Sequence, residues 1–515
     1  MIKTQFVELR LEFPQVNPEV QIVLNNKSIT IIGAGIGGLS AGCYAQMNGF
    51  NTQIFEMHTL PGGQCTAWKR GGFTFDGCIH HLAGCKPGYP LYNVWEELGA
   101  LPTKQTIFPD DMCQVEDEAG KRFTVYVDLE RLRQHMLELS PQDAAATNNY
   151  IKAAKTFENL DILDTPLLDG FGFTKRFFKT LGILKLGMPM SKYAQNFKDP
   201  FLRKTVPTIQ YDRIETPTFV HLNMIGNCCS KNYGVIAGGS LEFSKAIEQR
   251  YRKLGGIINY GKKVEKILVE NDQAVGVRLA DSSEQRADVV ISNAFGYQTI
   301  YGMLGGRYAD DKIRWQFTVP QDNMIMGIHV SFGISRDLSK EPRAQVLFLN
   351  KPIRIADREH TKLDVELYGY DPSLSPRGKG VLKVLLNTSY SFWKELYNNH
   401  QKYDAEKQKV AHTVLANLEK RFPGIKDEVE ITDVATPMTT ERFTGVGQGY
   451  VVHWGFFDAM RFLRGPPKTL PRLKNFFMVG SSAGAAGIAG CAAMGRNIVK
   501  KLCQRKGTPF QTSKH

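Results

Sequence analysis

Ser28-Ile29-Thr30-Ile31-Ile32-Gly33-Ala34-Gly35-Ile36-Gly37-Gly38-Leu39-Ser40-Ala41-Gly42 is a β-branched run that enters a Gly33-x-Gly35-x-x-Gly38 turn. Ala41, Gly42 and Ala45 follow at spacings suited to a helix packed closely on a sheet, and Thr52-Gln53-Ile54-Phe55-Glu56 supplies a second strand. The expected local structure is strand, turn, helix, strand. Gly33 allows the tight turn, Gly35 lets backbone approach a pyrophosphate with no Cβ between them, and Gly38 permits close helix–sheet packing. On this expectation the phosphates sit on the helix N-terminus, where free N–H groups and the dipole favour anions. Glu56 closes the second strand, where a carboxylate accepts hydrogen bonds from the 2′- and 3′-hydroxyls of an adenosine ribose. A lone glycine fingerprint is weak; this one has the strand, the helix and the acid in place.

At 515 residues the chain exceeds one ordinary core, and two or three structural domains are expected. Its 42 % hydrophobic and 22 % charged residues are those of a folded globular protein. Lys and Arg outnumber Asp and Glu by 64 to 51, a net charge of +13 that suits nucleic acid, acidic substrates or an anionic lipid surface. No Cys/His finger spacing, base-reading basic helix or RNP-type strand accompanies the charge, so nucleic acid is set aside. Nine cysteines at irregular spacing, without a C-x-x-C, are not a disulfide framework and point to a reducing compartment. The adjacent Cys228-Cys229 pair is a redox dithiol or, more commonly for such residues, buried small filler. Cys78, His80, His81 and Cys85 match no standard zinc spacing, and no metal is expected. The first 27 residues carry Glu8, Glu12 and Glu19 without a continuous apolar core, unlike a signal or transit peptide. No run reaches the roughly 20 apolar residues of a membrane span. The expectation is a cytoplasmic protein, soluble or peripherally attached to a membrane.

Beyond Glu56, Pro61-Gly62-Gly63-Gln64-Cys65 forms a loop whose backbone can lie along a phosphate or ribityl chain, although on its own it reads as a simple turn. Gly72 to His81 alternates apolar and polar residues, like a strand delivering polar groups to a cleft. Leu129 to Leu139 has helical periodicity. Phe171 to Leu181 interleaves basic and aromatic residues, which fits an interfacial element on an anionic membrane or, more commonly, a core-packing helix with a solvated basic face. A helix is expected from Leu241 to Leu254, and strands over Val264 to Val269, Ala274 to Leu279, Asp288 to Ile291, Asn323 to Phe332 and Val381 to Asn387. An amphipathic helix is expected from Asp404, its candidate N-cap, through Leu418, with Pro423 beyond it.

Gly33-x-Gly35-x-x-Gly38, Glu56, Pro61-Gly62-Gly63 and Asp76-Gly77-x-Ile79-His80 together resemble the phytoene desaturase, carotenoid isomerase and retinol saturase family, within the amine-oxidase-like flavoproteins. Gly238-Gly239-Ser240-Leu241 is similar to that family's second glycine-rich helix start, and Phe476 to Ile488 to its C-terminal flavin-binding strand and helix, so the resemblance spans residues 28 to 503. Thr436 to Gly445 resembles a segment that precedes that C-terminal motif in the family. The resemblance implies an α/β fold: a Rossmann-type FAD-binding domain with an interleaved α+β substrate domain. The implied division is an extension (1–27), FAD-binding segments (28–90, 235–300, 466–505), substrate-domain segments (91–234, 301–465) and a tail (506–515). It further implies non-covalent FAD, held by Gly33, Gly35, Gly38, Glu56, Gly62, Gly63, Gln64, Val264, Gly480, Ser481, Gly487 and Ile488, with a backbone amide of Val264's strand facing the adenine.

Three positions depart from the pattern. Ser481 stands where most relatives place an acid, Gln64 where an arginine often follows the two glycines, and Ala483-Gly484-Ala485-Ala486-Gly487 where desaturases carry Pro-Gly-Gly-Gly. A serine hydroxyl can still donate to phosphate. The third departure weakens an assignment as a carotene desaturase. No second Gly-x-Gly-x-x-Gly lies on a strand-to-helix turn, which leaves NAD(P)H only a transient encounter as electron donor, beside a quinone, a protein carrier or oxygen.

Three functions fit these features. The first is an FAD-dependent oxidoreductase that saturates, desaturates or isomerises C=C bonds of a lipophilic polyene or isoprenoid. The second is a flavoenzyme working on C–N bonds, and the third a non-catalytic flavin-binding, membrane-associated protein on the same fold. The first accounts for the most motifs. Saturation needs a hydride at one carbon and a proton at the other, and an imidazole titrates near working pH. His80, which saturase-like relatives also carry, is the candidate acid; His81 is equally available, and a purely structural hydrogen bond is the plainer role.

Overall fold

The computed structural model describes residues 27–101, 105–167, 183–209, 216–317, 326–447, 467–485 and 487–512. The Phe171 to Leu181 stretch, nearly all of the N-terminal extension and Ala486 lie outside the described residues.

The glycine motif forms strand β1 (Ser28–Ile32), helix α1 (Ile36–Met47) and strand β2 (Asn51–Glu56). β1 is the centre of a five-stranded parallel sheet. On one side lie β2 and then β3 (Ile257–Tyr260); on the other lie β4 (Val289–Ser292) and then β5 (Phe476–Met478). Strands covered on both faces must be apolar throughout, which is why β1, β4 and β5 read as short continuous apolar runs. Helix α2 (Gly239–Lys253) and helix α3 (Gly487–Lys506) pack on α1. The crossings are backbone-close: a Cβ on Gly42 would meet Tyr251 Cε2 at 2.7 Å, and one on Gly495 would meet Ala41 N at 2.7 Å.

A second sheet has seven strands, in the order Val429–Ala435, Met326–Ile334, Gly380–Thr388, Arg358–Leu367, Ala344–Ile355, Asp111–Glu116 and Arg122–Tyr126. All its pairs are antiparallel except Ala344–Ile355 with Asp111–Glu116. Side chains alternate across a strand, so in-register rows separate its two faces. The row Val330–Val384–Val365 belongs to a core shared with Val410, Val414 and Leu418 of the helix His400–Arg421. The next row, Ser331–Lys383–Glu366, is buried and polar on the opposite face. The parallel sheet draws its strands from residues 28–56, 257–292 and 476–478, the second sheet from 111–126 and 326–435.

Several expected boundaries move. The helix expected from Asp404 starts at His400, because Asn399 is its N-cap, accepting the Lys402 N–H at 3.1 Å. The strand expected over Gly72 to His81 is only Phe73–Asp76, so His80 is not on a strand. Beyond Asp76, side chains replace the ladder: Cys78 N–H donates to Asp76 Oδ1 at 2.9 Å and Ile79 N–H to Ser240 Oγ at 2.8 Å, which bends the chain. Among the described residues no helix is long and apolar enough to cross a membrane.

Candidate active site

A cavity of 1350 Å³ lies beyond the carboxyl ends of β1, β4 and β5, the place where open α/β sheets receive ligands. Gly33, at φ +92°, turns the chain there and donates its N–H to Phe55 O at 2.8 Å. The Pro61-Gly62-Gly63 loop lies directly on this turn, with Gly62 N–H donating to Ala34 O at 2.8 Å and Gly62 bridging Gly35. A Cβ on Gly62 would sit 2.2 Å from Cys65 O. From the other side comes the loop after β5, whose Gly480 has φ +87°. Between them stands Asn293, immediately after β4: a Cβ on Gly35 would meet its Nδ2 at 2.6 Å, and one on Gly37 or Gly480 its Oδ1 at 2.6 Å. Asn293 was not among the expected site residues; a lone Asn after an apolar run carries no periodic or motif signal.

Every residue expected to bind the cofactor lines this one cavity except Gly38. Gly38 lies beneath it, where a Cβ would be 2.1 Å from Gly33 O. Its lack of a side chain lets the first turn of α1 lie against the end of β1, the close helix–sheet packing expected of it, while Gly42 and Gly495 serve the helix–helix crossings. Glu56 is buried, with Oε2 accepting the Ala34 N–H at 2.7 Å and Oε1 the His58 N–H at 2.8 Å. The carboxylate thus ties the end of β2 to the glycine turn, and each oxygen keeps a lone pair for a ligand. Burial raises its pKa above the ordinary glutamate range, against the pull of those N–H groups.

His80 also lines the cavity, with 35 % of its side chain exposed. Its Nδ1 is hydrogen-bonded to Oε1 of Glu366, whose side chain is 3 % exposed. Glu366 Oε2 accepts from Lys383 Nζ at 2.8 Å and from Tyr368 OH at 2.7 Å, and Lys383 donates onward to Asp76 O at 2.9 Å. Burial alone would raise the Glu366 carboxyl; the adjoining His80 and Lys383 outweigh it and hold the group well below the usual range. An ionised carboxylate only accepts, so the His80 proton resides on Nδ1 and the ring is fixed in one orientation.

His81 also lines the cavity but is occupied differently. Its Nε2 lies 2.9 Å from Arg343 Nη2, and the same guanidinium donates to His80 O at 3.2 Å and Met112 O at 3.3 Å. Burial first, then Arg343, drives His81 well below the ordinary histidine range, so it is a neutral acceptor and no proton donor. Cys85, the last of the four residues weighed as a metal set, turns its thiol to Leu82 O at 3.1 Å.

Two further histidines are neutral: the buried His221, paired with Tyr150 OH at 2.8 Å, and the half-buried His329 in the cavity wall, each pushed down to about 3 by desolvation. Both fall below the unfolded value of about 6.5, so below that pH the unfolded chain binds more protons and stability is lost. The expected cost is about 1.4 kcal/mol per pH unit for each. A thermal unfolding midpoint that falls steadily below pH 6.5 is the expected result, and a flat midpoint down to about pH 5 contradicts it.

A Rossmann-like NAD(P)-binding domain family matches residues 31–98. Prolycopene isomerase 2, chloroplastic, of an Oncidium hybrid cultivar is 27 % identical over 448 residues, covering 81 % of this chain and 74 % of that protein. The 4,4′-diapophytoene desaturase (4,4′-diapolycopene-forming) of a Methylomonas species is 24 % identical over 546 residues, covering 95 % and 98 %. The crystal structure of an oxidoreductase from Methanosarcina mazei shares the fold with a TM-score of 0.60 at 18 % identity, covering 92 % of this chain and all of that one. Fold and cavity define a protein of the amine-oxidase-like α/β fold built on a Rossmann-type dinucleotide-binding domain. More narrowly, the chain is similar over about four fifths or more of its length to prolycopene isomerases, phytoene and diapophytoene desaturases and an all-trans-retinol 13,14-reductase.

Proposed function

We propose that this protein is an FAD-dependent oxidoreductase acting on C=C bonds of a lipophilic polyene or isoprenoid-type substrate. The observation that carries this reading is that one cavity is walled by the three glycine-rich backbone loops and also by His80, which the buried Glu366 backs from behind the wall. Its remaining walls include Met112, Ile209, Met224, Ala344 and Val346, apolar side chains suited to a hydrocarbon chain. The loops fit a dinucleotide because they offer backbone where a Cβ would intrude.

Bound FAD would supply the hydride chemistry. The Gly33 to Gly38 turn and the α1 N-terminus would receive its pyrophosphate, Glu56 its adenosine ribose, and Gly62, Gly63, Gln64, Val264, Gly480, Ser481, Gly487 and Ile488 its remaining length. His80 would exchange the proton at the carbon opposite the hydride. Glu366 stabilises the protonated ring, and the apolar walls exclude water from the reacting carbons.

Acid precipitation of purified protein is expected to release flavin into the supernatant, since no residue is marked for covalent attachment; flavin retained in the pellet contradicts this. Turnover of a carotenoid or retinoid then tests the substrate class. Anaerobic bleaching by an amine would favour C–N chemistry, and bound flavin with turnover of neither would leave a carrier. The net charge of +13 also supports peripheral contact with anionic membranes, and nine cysteines without a disulfide framework support a cytoplasmic protein. Each Lys or Arg near such a surface contributes about 1 kcal/mol, so co-sedimentation with anionic vesicles at low salt, reversed by salt, is expected. Equal recovery in the supernatant with neutral and anionic vesicles rejects it.

A further inference from the structure

We propose that Cys65 and Cys78 are an oxidative modification site: a dithiol in the cavity wall that closes reversibly to a cross-strand disulfide. The hairpin of Ala67–Arg70 with Phe73–Asp76 pairs Ala67 with Asp76. The ladder runs one step further, with Gly77 N–H donating to Thr66 O at 3.0 Å. Carried one step further, that register brings Cys65 across from Cys78 where the chain bends out of the hairpin. Directly opposed residues of an antiparallel pair have Cα atoms about 4.5–5.5 Å apart, inside the range of about 4.4–6.8 Å that a disulfide spans.

The Cys65 thiol donates to Ser240 O at 3.7 Å, and the neighbouring Cys78 thiol, with burial, raises it well above its ordinary value. Both cysteines line the cavity. They differ in access, since Cys65 is 2 % exposed whereas Cys78 is partly exposed. Cys78 therefore meets an oxidant first and Cys65 resolves it.

With a small hydroperoxide as oxidant the step balances. The Cys78 thiolate attacks one peroxide oxygen, the O–O bond breaks, and a sulfenic acid and hydroxide form. The Cys65 sulfur then attacks the sulfenic sulfur, the S–O bond breaks, and the Cys65 proton leaves with the departing hydroxide as water. Overall two thiols are oxidised to one disulfide while hydrogen peroxide is reduced to two waters. Cys65 ends the loop lying on the glycine turn, and Cys78 is two residues before His80, so the bond ties the cofactor loop to the bend that carries the candidate acid.

Purified full-length protein treated with hydrogen peroxide, denatured and alkylated is expected to show two fewer free thiols than the nine in the chain. Peptide mapping should link Cys65 to Cys78, and a phosphine reductant should restore both thiols. In Cys65→Ser, where the resolving thiol is gone, dimedone should label Cys78. Nine thiols surviving oxidation, or a link from Cys78 to Cys491, which also lines the cavity, would overturn the proposal. So would a Cys65→Ser protein whose Cys78 takes no dimedone. The readout is covalent and does not depend on substrate, so its failure leaves the proposed activity untouched.

Discussion

His80→Ala and Glu366→Gln are each expected to slow product formation by roughly 10²-fold or more, with the proposed flavin still bound and reducible. For His80 the expected loss is that of the proposed proton carrier; for Glu366 it is that of the carboxylate which orients the ring and would stabilise its protonated form. Three measurements separate these roles from a structural one: flavin occupancy, flavin reduction and product formation. A His80→Ala variant with wild-type turnover places the proton elsewhere, and one that only loses flavin makes the residue structural. Glu366→Gln carries a second cost, because Lys383 is 1 % exposed and would be left as an unpaired buried charge. Removing one member of such a pair costs about 3–5 kcal/mol. The double variant Glu366→Gln/Lys383→Met removes both charges and should recover most of that stability without recovering activity. If it recovers activity as well, the carboxylate acts only by keeping the protein folded.

Gly38→Ala is the most damaging single methyl expected in the cofactor turn. Its Cβ would lie 2.1 Å from Gly33 O, a backbone atom of the same turn that cannot move without opening it. Forced overpacking costs about 1–3 kcal/mol, and here the strain falls on the groups proposed to hold the pyrophosphate, so the protein should be colourless as well as less stable. Gly35→Ala is the informative contrast. There the nearest atom is the Asn293 Nδ2, the end of a side chain that can swing aside, so the fold should survive and flavin affinity should fall. Gly35→Val adds a branched side chain at the same point and should abolish flavin binding. Scanning fluorimetry and the visible spectrum report the two effects separately. A Gly38→Ala protein with wild-type midpoint and full flavin colour contradicts this account of the turn.

The strand, turn and helix of residues 28–56 were legible in the sequence because their causes are local. β-Branched residues stiffen a strand, and a glycine at positive φ turns it, each within a few positions. The C-terminal strand and helix were legible through their resemblance to known motifs, and the candidate cofactor residues followed from the same stretches. What acts behind them was not. Glu366 lies 286 positions from His80, and nothing in its own neighbourhood marks it as the partner. Strand alternation shows which residues share a face, but not which strand stands beside it or what that face meets. His80 and His81 are adjacent and chemically identical, and only the packing gives one a buried carboxylate and the other a guanidinium. Asn399 and Asp404 are both good helix caps, and the chain's path into the helix selects Asn399. The local backbone was thus set by the sequence itself, whereas the electrostatic partners were decided by tertiary structure. Coulombic and hydrogen-bonding energies depend on distance in space, and the register of two sheets determines that distance.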